Sequence, residues 1–101
     1  MKNLILIVNA SVQQSVTDHL RALDVPGFTV SQVEGHGAHT AGDPFLSSRD
    51  RVVGFVPRVR VDIVLSSAQV TAVLDALLEP TAGLNGHGVF WVSPVERFDQ
   101  F

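Results

Sequence analysis

Short apolar runs and helix-like repeats alternate along this chain and predict six secondary-structure elements. Residues 4–8 are continuously apolar and rich in β-branched side chains, which is typical of a short strand buried on both faces. Three further segments have the pattern of strands, at residues 28–34, 56–65 and 89–92. In the third strand, charged residues alternate with valine and isoleucine. One face of that strand is therefore predicted to be polar and the other to enter the core.

Two segments between the strands carry apolar residues at helical intervals. The first contains Val12, Val16, Leu20 and Leu23, and the second contains Val70, Val73, Leu74, Leu77 and Leu78. Ser11 stands three residues before Gln14, a capping-box spacing that would start the first helix. Ser66 and Gln69 have the same spacing at the start of the second helix, and Pro80 is expected to stop that helix.

The order β-α-β-β-α-β predicts an α+β fold, a ferredoxin-like sandwich formed as a single domain over residues 1–101. Its sheet would have four antiparallel strands, with both helices on one face. The first and fourth strands carry apolar residues on both of their faces, so the helices would leave an apolar sheet surface uncovered. Such a surface predicts that copies of the chain associate sheet to sheet.

A long loop between the second and third strands is the part that this fold does not need. It runs from Gly35 to Pro57, whereas loops above about 12–15 residues in a compact domain are uncommon and usually functional or disordered. Its charged run of Arg49, Asp50 and Arg51 is either a docking contact for a protein partner or a solvated charge cluster.

The amino-acid composition and net charge exclude several classes of function or argue against them. The net charge is −3 and the chain contains no cysteine, which argues against nucleic-acid binding and excludes disulfides, thiolate metal sites and thiol catalysis. No segment reaches the length of a membrane span, and no signal-peptide core is evident, so a cytoplasmic protein without membrane insertion is expected. No nucleophile-elbow motif is present, and catalysis is not expected.

Three segments together resemble the PII signal-transduction family, namely residues 28–37, 55–64 and 81–96. They lie in family order with nearly family spacing, and the likeness covers about the whole chain. The resemblance implies a homotrimer of ferredoxin-like subunits with a small effector, such as ADP, AMP or ATP, bound in the clefts between subunits. It also implies that the long loop docks on a protein target, with a membrane transporter as one candidate.

The resemblance also assigns residues to the ligand cleft. Thr29 would face the nucleotide across the subunit boundary, and Arg58 would keep a positive charge near the cleft. The implied ligand-binding residues are Thr29, Gly35, His36, Gly37, Arg58, Gly86, His87 and Gly88. Two departures affect the effector: Val89 occupies the position where the family usually has a phosphate-pairing lysine, and Ala38-His39 replaces the usual Arg-Gln.

Three of the four histidines, His36, His39 and His87, fall in segments that the resemblance brings to one cleft. With Asp43 or Asp50 they could bind a divalent metal such as zinc, copper or nickel. When protonated, the histidines could instead hold an anion. The remaining alternative is that His36 and His87 only form hydrogen bonds to backbone carbonyls in tight glycine turns.

Two functional hypotheses follow from the sequence. The first is a PII-like regulatory protein that binds an adenine nucleotide or related anion and controls a protein target through its long loop. The alternative is a metal-binding accessory protein of a heavy-metal tolerance or efflux system that uses the histidine cluster.

Overall fold

The computed structural model describes residues 1–36 and 55–101 of the chain. Their elements follow the predicted order, with strands β1 (Lys2–Asn9), β2 (Thr29–Gly35), β3 (Val56–Leu65) and β4 (Gly88–Pro94), and with helices α1 (Gln13–Ala22) and α2 (Ser67–Leu77). The strands form one antiparallel sheet in the order β2-β3-β1-β4. This arrangement confirms the ferredoxin-like α+β fold.

The core lies between the helices and one face of the sheet, because β1 and β3 alternate in register. Leu4, Leu6 and Val8 of β1 pair with Ile63, Val61 and Val59 of β3. All six side chains are buried and pack with α1 and α2, whose buried apolar residues are Val16, Leu20, Val70, Val73 and Leu77. Burying a side chain of this size contributes roughly 1.5–3 kcal/mol, so this face drives folding.

The two helices begin differently. At α2, Ser66 Oγ accepts from the Gln69 backbone N–H at 3.2 Å, and the Ser66 backbone N–H donates to Gln69 Oε1 at 2.9 Å, which confirms the predicted capping box. The capping box predicted at Ser11 is wrong, because Ser11 lies inside a 3-10 turn of residues Ala10–Val12 and α1 begins after it. Pairing of β1 continues as far as Asn9, so the chain must turn sharply before it can enter the helix.

The other sheet face, here called the open face, combines apolar and charged side chains. Ile5 and Ile7 of β1 lie on it, with Arg60 and Asp62 of β3 on one side and Trp91 of β4 on the other. The Arg60 guanidinium lies 6.0 Å from the centre of the Trp91 ring, so the two side chains lean towards each other across β1. Ile5, between Asp62 and Trp91 in register, is accordingly only 2% exposed.

β4 is the least covered strand of the sheet. Val89 and Trp91 are exposed on the open face, and Phe90 and Val92 are exposed on the helix side. The helices therefore leave part of their own sheet face uncovered, in addition to the open face that the sequence predicts to be uncovered.

Candidate functional site

The end of the sheet that carries the long loop gathers most of the predicted site. There β1 ends between β3 and β4, with Asn9 opposite Arg58 and Val8 opposite Gly88. Gly35 ends β2 at the same end, and a Cβ atom at Gly35 would collide with Nε and Cδ of Arg58. The Arg58 side chain therefore occupies the space that a Cβ atom of residue 35 would need. Only glycine at position 35 allows Arg58 this conformation.

Residues 83–88, here called the glycine-rich turn, lead into β4 at this end of the sheet. The His87 backbone N–H donates to the Leu84 carbonyl at 3.0 Å and closes a tight turn, in which Gly86 has φ +80°. A positive φ in the third turn position is the conformation that glycine adopts without strain. Gly88 then packs so closely on β1 that an added Cβ would strike the Ile7 carbonyl oxygen and lie 2.9 Å from Val8 Cα.

Asn9 connects the glycine-rich turn to β1 through contacts with His87. The sequence analysis did not identify Asn9 as a site residue. Its backbone N–H donates to the His87 carbonyl at 2.8 Å, and its Nδ2 lies 3.2 Å from His87 Nδ1. The residue is 4% exposed, and its buried Oδ1 has no hydrogen-bond partner within residues 1–36 and 55–101. The sequence signal was present, since an amide that closes a continuously apolar strand has to find partners when it is buried.

His36 has a different environment from His87. Its Nε2 lies 3.1 Å from Glu34 Oε2, and its ring centre lies 5.8 Å from that of Phe55. Glu34 points to the helix side of β2, because it alternates with Gly35 on the open face. The side chain of His36 is 63% exposed, so its contact with Glu34 is a surface interaction.

The histidine metal site gains no support from this arrangement. Within residues 1–36 and 55–101, no group of three or more histidine, aspartate or glutamate side chains is placed to hold a metal ion. His39, the third predicted ligand, lies outside the described residues, as do Asp43 and Asp50.

The remaining predicted residues divide into two groups. Thr29 lies at the far end of β2 from Gly35, opposite Asp62, and is exposed along the sheet edge. Gly37 and the predicted docking residues Arg49, Asp50 and Arg51 lie outside the described residues. A single chain therefore brings Gly35, Arg58, His87 and Gly88 to one end of the sheet, and Thr29 to the other.

A small ionic network occupies the open face. Arg60 donates from Nε to Asp62 Oδ2 at 2.9 Å and from Nη2 to Asp62 Oδ1 at 3.0 Å, and Asn3 Nδ2 donates to Asp62 Oδ1 at 3.4 Å. The hydrogen bonds from Arg60 lower the pKa of Asp62, and the Asn3 bond and the charge of Arg60 act in the same direction, against a smaller effect of burial. The carboxylate also raises the pKa of Arg60.

This network predicts a pH-dependent contribution to stability. Because the pKa of Asp62 is lower in the folded than in the unfolded chain, its contribution is complete above the unfolded value of about 3.9 and is lost as pH falls through the folded value. Asp62→Asn should therefore lower the free energy of unfolding more at about pH 7 than at about pH 2. Urea denaturation at both pH values measures this. The control is Asp75→Asn, at an exposed position of α2; an equal gap for Asp62→Asn at both pH values would contradict the prediction.

Comparison with known proteins identifies the family. The family model for "Nitrogen regulatory protein P-II" matches residues 1–100. The chain belongs to the P-II family. A P-II protein of Cereibacter sphaeroides is 29% identical over 98 residues, which cover 96% of this chain and 88% of that protein. The nitrogen regulatory protein GlnK of Escherichia coli K12 is 24% identical over the same shares of the two chains.

A solved structure agrees with the P-II assignment at the level of fold. A DUF3240-family protein from Shewanella baltica superposes with a TM-score of 0.75 at 19% identity, covering 99% of this chain and 94% of that one. Membership of the P-II family makes the protein a PII-like regulatory signalling protein. Among the described residues, no helix combines the length and apolar character needed to cross a membrane.

Proposed function

We propose that this P-II protein forms a homotrimer that binds an adenine nucleotide, or an anion related to it, in the clefts between its subunits. The long loop then binds or releases a protein target, for which a membrane transporter is one candidate. The role is regulatory rather than catalytic, and the expected location is the cytoplasm. Family membership over nearly the whole chain supports the class of function.

The observation that carries the nucleotide proposal is that the contact between Gly35 and Arg58 lies at the loop-bearing end of the sheet, to which the glycine-rich turn also comes on the other side of β1. A guanidinium offers several N–H donors in a planar fork that suits phosphate oxygens. Gly35 leaves room for the Arg58 side chain, and Gly86, with φ +80°, lets the chain turn tightly at the same end of the sheet. These are the elements that an anion site requires.

The position of this site explains how binding could be transmitted. Gly35 is the last residue of β2, so the long loop begins directly beside Arg58. A ligand that contacts Arg58 therefore meets the root of the loop. The ligand can shift the population of loop conformations only to the extent that it binds one conformation more tightly than another.

The trimer is supported by the open face and by the position of Thr29. Trp91 and Val89 expose apolar surface on that face, which a neighbouring copy would cover. Thr29 lies away from Arg58 along the edge strand β2, so it can reach a nucleotide only from another subunit of the assembly.

Calorimetric titration with ADP, AMP and ATP tests whether the protein binds a nucleotide. The same titration on Gly35→Ala tests whether Arg58 contacts it. The new Cβ would displace the Arg58 side chain, which is flexible, so the fold should survive while nucleotide affinity falls about tenfold, the value of one charge-assisted hydrogen bond. Gly27→Ala is the control, because no atom of the described residues lies within 4 Å of a Cβ at Gly27. Absence of heat with all three nucleotides at millimolar concentration would exclude them as effectors. Unchanged affinity in Gly35→Ala would exclude Arg58 as a contact.

A further inference from the structure

A cavity of about 400 Å³ lies on the helix side of the sheet, between the end of α2, the glycine-rich turn and β4. It forms because the helices pack over the central strands β1 and β3 and leave the edge strand β4 uncovered. Its volume falls in the range of small-molecule pockets, roughly 300–1,000 Å³. Apolar side chains from β1, α2, the turn and β4 form its walls, among them Leu6, Val8, Leu74, Leu77, Leu84 and Phe90.

The cavity lies on the opposite face of the sheet from the Arg58 side chain. Val8 and Phe90, which line it, point to the helix side of their strands. Arg58 instead alternates along β3 with the buried Val59 and belongs to the open face. The cavity and the proposed nucleotide site therefore share the glycine-rich turn but occupy different spaces.

One carboxylate stands among these apolar walls. Glu79 lines the cavity directly after α2, and within residues 1–36 and 55–101 it has no ion-pair partner. Among the described residues that line the cavity, Asn85 is the other polar side chain, and none is cationic. An apolar pocket with a few polar groups is typical of a site in which those groups orient a small ligand. The negative charge of Glu79 favours a ligand with a cationic end.

The volume indicates the size of the apolar part of such a ligand. A dry cavity of about 150 Å³ lined by leucine, isoleucine and phenylalanine is large enough to bind benzene. The present cavity is more than twice as large, so it can hold a fused ring system such as indole. Phe90 and Leu78 are 44% and 62% exposed at its mouth, and a bound apolar molecule would cover part of that surface.

We propose that this cavity binds a small amphiphilic amine, whose apolar body lies between α2, the glycine-rich turn and Phe90 and whose ammonium group lies beside the Glu79 carboxylate. The site is additional to the proposed nucleotide function and does not depend on it. An amine bound there contacts the glycine-rich turn from the helix side, whereas a nucleotide at Arg58 would lie on the open face.

Calorimetry with tryptamine, indole and indole-3-acetate tests the choice of ligand, because these compounds share one ring system and differ in charge. The wild type should bind tryptamine most tightly and indole-3-acetate least tightly. Glu79→Gln should weaken tryptamine binding about fivefold and leave indole unchanged, since an exposed ion pair contributes at most about 1 kcal/mol. Glu79→Lys should reverse the order of tryptamine and indole-3-acetate. Asp75→Lys, the same charge change at an exposed position of α2 outside the cavity, should keep the wild-type order.

A cavity-filling variant tests where the amine binds. Leu74→Trp places an indole ring in the cavity and should abolish tryptamine binding, whereas Ala72→Trp, at an exposed position of the same helix, should bind like the wild type. In NMR spectra of the wild type, tryptamine should shift the backbone amide signals of Leu84 and Phe90 and leave that of Arg58 unchanged. These shifts decide the location even if Leu74→Trp does not fold.

Several results would overturn the proposal. They are the absence of binding by all of the compounds at millimolar concentration, unchanged affinities in Glu79→Lys, and signal shifts centred on Arg58. Binding that appears only after dilution to single chains would show that a second copy fills the cavity, and it would overturn the proposal as well. Displacement of tryptamine by ADP would place the amine in the nucleotide site, with the same consequence. Failure of the wild type to bind ADP would overturn the nucleotide site alone and leave the amine site standing.

Discussion

Trp91→Glu is expected to convert the proposed trimer into a folded single chain. The change places a carboxylate in the middle of the open face, where Trp91 is 45% exposed and lies beside the buried Ile5. Association through that face would enclose the new charge once in every subunit. Arg60 lies beside position 91 but is already paired with Asp62, so the enclosed group of charges would be net negative. Enclosing an excess charge costs several kcal/mol after relaxation of the protein, more than an interface of modest size can offset.

Light scattering coupled to size-exclusion chromatography measures the outcome. The wild type should have the mass of three 10.9 kDa chains, and Trp91→Glu the mass of one. Leu78→Glu is the control, because Leu78 is also an exposed apolar residue, at the end of α2 on the helix side. Trp91→Phe should keep the trimer, since it retains an aromatic ring. A wild type of single-chain mass, or a trimeric Trp91→Glu, would contradict the proposed assembly.

The fold could be predicted because the order of apolar and charged residues in the sequence indicates which strand positions are buried. The alternation of charged and apolar residues in β3 predicted both its bounds and its buried face, and Val59, Val61 and Ile63 are the residues that enter the core. The capping box at Ser66 is a local interaction and was equally predictable. The spacing at Ser11 is the same, yet no cap forms there, because strand pairing carries β1 on to Asn9 and a 3-10 turn precedes the helix.

The candidate site was predictable only in part, because it depends on contacts between distant segments. Glycines at 35, 86 and 88 marked backbone that approaches other groups closely, and the structure gives two of them definite neighbours, Arg58 and β1. No local pattern indicates that Asn9 bonds to His87, 78 positions away. The spacing of His36 likewise does not reveal that its neighbour is Glu34 on the helix side of β2.

Gly88→Ala is expected to destabilise the protein more than the same change at Gly27 or Gly83. The added Cβ meets the Ile7 carbonyl oxygen and Val8 Cα, which are backbone atoms of the central strand β1 and cannot move aside as a flexible side chain can. The start of β4 would have to separate from β1. Overpacking of this kind costs about 1–3 kcal/mol of unfolding free energy, and occasionally more.

The damage should extend beyond stability to the proposed anion site. Gly88 pairs with Val8, and the next contact along β1 is the Asn9 backbone bond to the His87 carbonyl at 2.8 Å. Moving β4 away at Gly88 lengthens that bond and the Asn9 contact to the imidazole together. Urea denaturation and ADP calorimetry on Gly88→Ala should therefore show losses of both stability and affinity.

Alanine variants at Gly83 and Gly27 serve as controls in the denaturation experiment. They distinguish the cost of a steric collision from the cost of backbone strain. Gly83 has φ +73°, and in the part of the chain that the structure describes no atom lies within 4 Å of its Cβ position. Gly83→Ala should therefore cost only the strain of a left-handed alanine, about 1–2 kcal/mol. Gly27→Ala meets neither problem and should change the unfolding free energy by no more than about 0.5 kcal/mol. Gly83→Ala should also leave the contact between Asn9 and His87 in place, because the strain arises before the turn reaches β1. If Gly88→Ala were as stable as Gly27→Ala, the close packing of the turn on β1, and with it the geometry assigned to Asn9 and His87, would be wrong.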